Sequence, residues 1–135
     1  MRIGIDGRIL RDDYPGIGRC IHNLLVAMQP QLAGDTLVVL HDPAVKSRYD
    51  ANALAALPGV ELVPFPVPPR AFSQQWKLPR LQRELGLDLF HAPYYFTAYR
   101  RTPIPLVLTL FDLIPKVYPA SMPSSLDRLA YGVAV

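Results

Sequence analysis

Five short apolar runs punctuate this chain, and between them the apolar residues fall at helical spacing. Arg2–Asp6 (RIGID), Thr36–Leu40 (TLVVL), Val60 to Phe65, Leu87–His91 (LDLFH) and Pro105–Leu110 (PLVLTL) each have the length of a strand. TLVVL shows no polar alternation, which suits a strand buried on both faces of a parallel sheet. Between the first two runs, Ile21, Leu24, Leu25, Met28 and Leu32 repeat at helical period. That spacing predicts a helix from about Ile17, stopped by Gly34. A weaker helix is predicted over Ala44–Leu57, with Gly59 breaking the chain before the third strand. A third helix, capped by Ser73, carries Trp76, Leu81 and Leu85 and closes at Gly86, with Pro79 predicting a kink or two abutting pieces. A last helix starts near Ser124 with apolar positions Leu126, Leu129, Ala130 and Val133.

Strands alternating with helices imply an α/β, Rossmann-like three-layer domain: a mostly parallel sheet, helices on both faces, right-handed crossovers. The chain has 135 residues, which suits one domain over 1–135. Half of it is hydrophobic, enough for a packed core. Val63–Pro69 (VPFPVPP) reads as a stiff extended connection. The last helix reaches Val135 without a glycine cap or polar tail, so the expectation is the front part of a longer protein.

The formal net charge is +3, too weak to argue for nucleic acid and compatible with anionic substrates or an anionic membrane surface. Lys77, Arg80 and Arg83, with Arg100 and Arg101, supply basic surface. A solvated face is the first reading of it, and membrane contact the lesser one, because Glu84 interrupts the run. Cys20 is the only cysteine, so no intrachain disulfide can form, and a reducing compartment fits. Its place in the first turn of a helix favours a thiolate, but a thiol packed on the core is the plainer reading. The N-terminus MRIGIDGRIL lacks the apolar core of a signal peptide, and no apolar run approaches the roughly 20 residues of a membrane span. The expectation is a soluble cytoplasmic protein, with any membrane contact peripheral and at the inner face.

In sheets of this kind ligands bind beyond the carboxyl ends of the strands, which selects Gly7 to Gly18, His41, Asp42, His91 to Tyr95 and Phe111 to Pro115. Gly16 and Gly18 allow close approach of a ligand to the backbone, and the free amides of the helix's first turn attract an anion. Arg19 there opposes the helix dipole at a cost of about 0.3–1 kcal/mol, a conflict that a bound phosphate removes. The plainer alternative is a simple turn, with Arg19 reaching Asp12 or Asp13. A dinucleotide fingerprint would need G-x-G-x-x-G directly after the strand. Here Ile21 holds the third glycine position and the glycines come late, so NAD(P) binding through Asp42 as ribose-binding acid is a weak third reading. His91 is positioned to donate a hydrogen bond or move a proton, against the commoner structural role. Asp112 can accept hydrogen bonds from a sugar or cap the next turn. The spacing of His22, His41 and His91 predicts no metal site.

MRIGIDGRI, PGIGR, LGLDLFHAPYY and VLTLFDLIPKVYP follow in an order and spacing that resembles the N-terminal domain of group 1 (family 4) glycosyltransferases. The resemblance spans nearly the whole chain, with the LFHAPYY and T-x-x-D-L-I-P blocks its most specific parts. It implies the N-terminal half of a GT-B architecture, two Rossmann-like domains across a cleft, with the acceptor on this half and the sugar nucleotide mainly on the other. It implies sugar transfer to a hydroxyl of a glycan, glycolipid or small molecule, with retention of configuration and without metal or cofactor. Gly16 and Gly18, with Arg19, then approach the donor diphosphate; His91, Tyr94 and Tyr95 border the acceptor; Asp112 matches the aspartate of the family's His-Asp pair. Phe111 stands where that pair's histidine is expected, and a phenyl ring cannot donate a hydrogen bond. The isolated chain is expected to be inactive without its partner domain, and a non-enzymatic transferase-like binding module is the alternative.

Overall fold

The computed structural model describes residues 1–118, 120 and 124–134. Its sheet has five strands: β1 (Arg2–Asp6), β2 (Thr36–His41), β3 (Val60–Pro64), β4 (Leu89–Ala92) and β5 (Leu106–Leu108). They lie in the order β3-β2-β1-β4-β5, and every pair is parallel. The helices are α1 (Pro15–Met28), α2 (Ala51–Ala55), α3 (Gln74–Glu84), α4 (Ile114–Val117) and α5 (Ser125–Ala134).

Strand alternation divides the core in two. Ile5, Leu37 and Val39 face α1 and α2, where they meet Ile21, Leu25 and Leu54. Val38, Leu40 and Phe90 face the other way, onto Leu78 of α3 and onto Phe65 and Val67. β1 and β2 are thus covered on both sides, which is why TLVVL needs no polar alternation. β5 lies at the edge with Val107 45% exposed, and it is shorter than the predicted Pro105–Leu110.

Several predicted boundaries move for local reasons. The helix expected over Ala44–Leu57 is cut to α2, because Asp42 accepts the Ala44 N–H and Asp50 caps the helix by accepting the Asn52 N–H at 2.8 Å. α3 runs continuously through Pro79 instead of breaking there, and Ser73 precedes it without a side-chain cap. Its buried stripe is Gln74, Leu78 and Gln82, and Trp76 points out to solvent. In α5 Tyr131 is buried and Leu129, two positions away and so on the opposite side, is 67% exposed. The side chains of Leu126, Ala130 and Val133 lie outside the described residues.

At the end of β1 an ion pair is buried. Asp6 and Arg8 are 5% and 2% exposed. Asp6 Oδ1 accepts the Arg8 N–H and so caps the 3-10 turn Gly7–Ile9, and it also accepts Arg8 Nε–H at 2.8 Å, while Oδ2 accepts from Nη2. Arg8 further donates to the Val67 carbonyl and to Gln74 Oε1, and its guanidinium lies 4.8 Å from the Phe65 ring centroid. Gly7 is required beside it: a Cβ there would come within 2.6 Å of Val39 Cγ1 and 2.8 Å of the Leu40 carbonyl oxygen. Removing one partner of such a pair leaves the other charge buried and uncompensated, so Asp6→Asn is expected to cost about 3–5 kcal/mol in urea unfolding. A loss under about 1 kcal/mol would show that the guanidinium finds other partners.

Candidate functional site at the carboxyl rim of the sheet

Strand order reverses between β1 and β4, where a ligand crevice is expected. Here the crevice is filled. Pro93 is fully buried, and Tyr94 and Phe96 close over Asp6, Ile9 and Pro69, leaving about 10 Å³, room for a single water at most. The open space lies beside it, past the ends of β1 and β2: a pocket of about 320 Å³ walled by Arg8, Arg11, His41, Asp42, Arg48 and Tyr49 among others. Arg11 Nε is buried there without a hydrogen-bond partner. His41 and Asp42, with Arg8 and Arg11 inside the Gly7 to Gly18 segment, fall in the stretches that the sequence selects, whereas Arg48 and Tyr49 do not. The signal available was the pairing of charges in RILRDD, which reads as ordinary surface until its residues are placed.

The glycine turn is helical from its start. Pro15 occupies the first turn of α1, where its missing N–H costs nothing, and the Gly18 N–H already donates to the Tyr14 carbonyl at 2.8 Å. Neither Gly16 nor Gly18 has positive φ, so backbone conformation does not require glycine at either position. Gly18 is buried under the Tyr49 ring, and a Cβ would sit 2.9 Å from Tyr49 Cε2. That is a packing reason for a glycine, separate from any ligand. Gly16 is exposed, and nothing lies within 4 Å of where its Cβ would be. Arg19 is also exposed. The carboxylates offered to it are taken: Asp12 pairs with Arg48 at 2.8 Å and Asp13 with Arg11 at 3.0 Å. The Arg48 guanidinium holds the Asp12 carboxyl below its ordinary value. Cys20 is exposed, not packed on the core, because Gly18, Ile21 and Leu25 form the side of α1 that meets the sheet.

His91 lies one residue short of the end of β4, with Ile5 and Val107 as its register neighbours. Its ring is therefore on the α1 side of the sheet rather than beyond the strand end. Nε2 and Thr109 Oγ1 are 2.8 Å apart, a hydrogen bond whose direction follows the imidazole tautomer. Tyr94 and Tyr95 follow in a run of ring contacts. Tyr14 and Tyr94 centroids are 5.7 Å apart, Tyr94 and Tyr95 4.4 Å, and Tyr95 and Tyr131 5.1 Å edge to face. The Tyr131 hydroxyl then donates to the Asp112 carbonyl at 3.3 Å. This ladder brings the glycine turn, the HAPYY segment and the Asp112 loop, far apart in sequence, onto one rim. Asp112 itself is exposed, and its Oδ1 accepts the Ile114 N–H at 3.0 Å, which starts α4. The carboxylate is thus engaged in the turn that leads into α4, whose cap position is Leu113. Phe111 is 42% exposed beside it. Asp42, the candidate ribose-binding acid, is turned back to the Ala44 N–H. No group of three or more His, Cys, Asp or Glu side chains among the described residues could hold a metal ion, and no helix among them is long and apolar enough to cross a membrane.

The sheet and its helices define an α/β domain of Rossmann-like type, with polar and aromatic groups gathered at the carboxyl ends of its strands. The family model for Glycosyltransferase Family 4 matches residues 14–132, from the residue before the glycine turn to the last helix. The chain belongs to that family, whose N-terminal domain is of the GT-B type. Neither a search of curated proteins nor one of solved structures returned a match.

Burial holds the His91 imidazole below its ordinary value of 6.5. Between that lowered value and 6.5 the unfolded chain binds more protons than the folded one, so stability rises with pH across this window and falls on acidification. Lowering the pH from about 7.5 to about 5 is expected to destabilise the wild type more than His91→Gln, which keeps a hydrogen-bonding group for Thr109 without the titration. Equal losses in thermal melts of the two proteins would show that His91 does not govern this dependence.

Proposed function

We propose that this domain is the acceptor side of a retaining glycosyltransferase, and that the sugar nucleotide is held mainly by a second domain across a cleft from the Gly16 turn. Family membership supports transfer of a sugar to an acceptor. The observation that carries the finer reading is Arg19: an exposed guanidinium at the start of α1, with the nearby Asp12 and Asp13 already paired elsewhere. With the open backbone of Gly16 next to it, this is a place where a diphosphate can meet both amides and a cation. Gly18 takes the supporting part of letting Tyr49 close against the helix.

In this reading the acceptor hydroxyl enters along the rim beside His91, Tyr94 and Tyr95. The pocket walled by Arg11, His41 and Tyr49 receives the rest of a polar acceptor. His91 orients a hydroxyl or takes its proton, since burial favours the neutral imidazole at working pH. Asp112 shapes the turn that presents Phe111. No metal or cofactor takes part. A non-enzymatic binding module is the second reading, favoured by one observation: Phe111 offers no hydrogen bond where the family places a histidine.

The test joins the chain to the donor-binding domain proposed to follow it and measures sugar-nucleotide consumption against a panel of hydroxyl acceptors. Product configuration is read by NMR. No consumption with any donor, in a folded two-domain protein, would favour the binding module. Arg19→Ala is expected to raise the donor KM by about tenfold or more, the weight of a charged hydrogen bond. Gly16→Ala separates fold from function. It should leave stability unchanged or raise it by up to about 1 kcal/mol, since the site is helical and open, yet weaken donor binding by crowding the diphosphate. Phe111→His is expected to raise kcat by about tenfold or more if the missing donor limits transfer; an unchanged rate would show that another group makes that contact.

A further inference from the structure

The outer face of α3 carries a feature that the transferase reading does not use. Phe72, in the turn before the helix, is 79% exposed, and Trp76, in its first turn, is 55% exposed. Their rings meet edge to face at 5.5 Å, so they stand out as one aromatic knob rather than as two scattered side chains. The stripe continues along the helix as Lys77, Arg80 and Arg83, all exposed. Glu84, the one acid among them, is paired with Arg80 at 2.7 Å, which leaves Lys77 and Arg83 without an acidic partner among the described residues. The opposite side of the helix is fixed to the core by Gln74, Leu78 and Gln82, so the knob and the charges cannot rotate inward.

We infer that this face docks the protein on an anionic lipid surface, the Phe72–Trp76 pair entering the headgroup region and Lys77 and Arg83 pairing with lipid phosphates. Tryptophan favours the membrane–water boundary, where the ring is apolar and its N–H stays wet, and basic residues beside it are attracted to anionic lipid. Charge decides the occupant. A protein partner covering the knob would have to bury or abut Lys77, and lysine is depleted in the cores of protein interfaces. Attachment is peripheral in kind, through a short helix already anchored in the fold. It also has a direction. The core-facing Gln74 bonds Arg8 at the end of β1, so the knob stands on the outer side of the helix end nearest the carboxyl rim, and docking brings that end of the domain to the bilayer. The docking does not rest on the transferase reading, and its test uses no donor or acceptor.

Trp76 is the only tryptophan of the chain, so its fluorescence reports from the docking face itself. The chain is titrated with phosphatidylcholine vesicles and with vesicles containing one third phosphatidylglycerol, and binding is read by Trp76 emission and by co-sedimentation. The expected result is a blue shift and sedimentation with the anionic vesicles only, both reversed by high salt. Lys77→Glu with Arg83→Glu is expected to lower the partition coefficient by about tenfold or more, and Phe72→Ser by several-fold, with unchanged circular dichroism and melting. Lys46→Glu, a charge change in the loop before α2 on the other side of the sheet, should leave binding nearly unaltered. An unshifted emission with all protein left in the supernatant would overturn the inference. So would vesicle binding that these α3 variants do not affect, or a vesicle-free dimer that Phe72→Ser dissociates, since the knob would then serve a second copy of the chain.

Discussion

The carboxyl rim of this domain depends on one buried charge pair. Arg8 is almost wholly enclosed, and its donors are divided among Asp6 on β1, the Val67 carbonyl in the proline-rich connection, and Gln74 at the start of α3. Three segments from different parts of the chain are thereby held to one guanidinium. Taking two charges out of water is expensive, and such a pair adds little net stability over a well-packed apolar substitute. What it adds here is geometry, since the planar fork accepts these partners only in one arrangement. The connection Val63–Pro69, stiff by composition, is seated on the sheet by that bond and by the Phe65 ring beneath the guanidinium.

With the rim set in this way, the usual crevice of a doubly wound sheet is unavailable. Pro93, Tyr94 and Phe96 occupy the switch point, and the free volume is displaced toward β2, where Arg11, His41, Arg48 and Tyr49 line it. The aromatic residues do more than fill space. Through Tyr14, Tyr94, Tyr95 and Tyr131 they tie the glycine turn to the Asp112 loop, so the segments that carry the family resemblance are mechanically connected before any ligand arrives. Arg19 has no carboxylate partner among the described residues. Its neighbours Arg11 and Arg48 have carboxylate partners, and it stands exposed at the start of α1.

Helix α3 serves two faces at once. Inward, the buried Gln74 accepts from Arg8 and the half-buried Gln75 beside it donates to the Thr97 carbonyl, so this end of the helix follows polar demand rather than an apolar pattern. Outward, it carries an aromatic pair and a row of cations. Apolar character alone does not separate Trp76 from Leu81 and Leu85, because it assumes that the buried stripe is apolar. Here two of the three residues of that stripe, Gln74 and Gln82, are polar, so apolar residues do not by themselves mark the buried face.

Strand–helix alternation, the both-faces-buried character of TLVVL, and the positions of the strands were legible in the residues alone, because they follow from side-chain period and from the absence of polar alternation. So were the segments of the rim: the PGIGR turn, HAPYY and the Asp112 loop were identifiable by their motifs. Their condition was not. That Gly18 is held by Tyr49, that the Asp112 loop meets Tyr131, that Cys20 is exposed and that Asp12 is claimed by Arg48 all depend on which segments meet in space. Local sequence specifies the period and the ends of an element, through interactions within a few residues. The partner of a charge, and the face of a helix that is buried, are decided by contacts between segments tens of residues apart, as where Arg8 meets Val67 and Gln74.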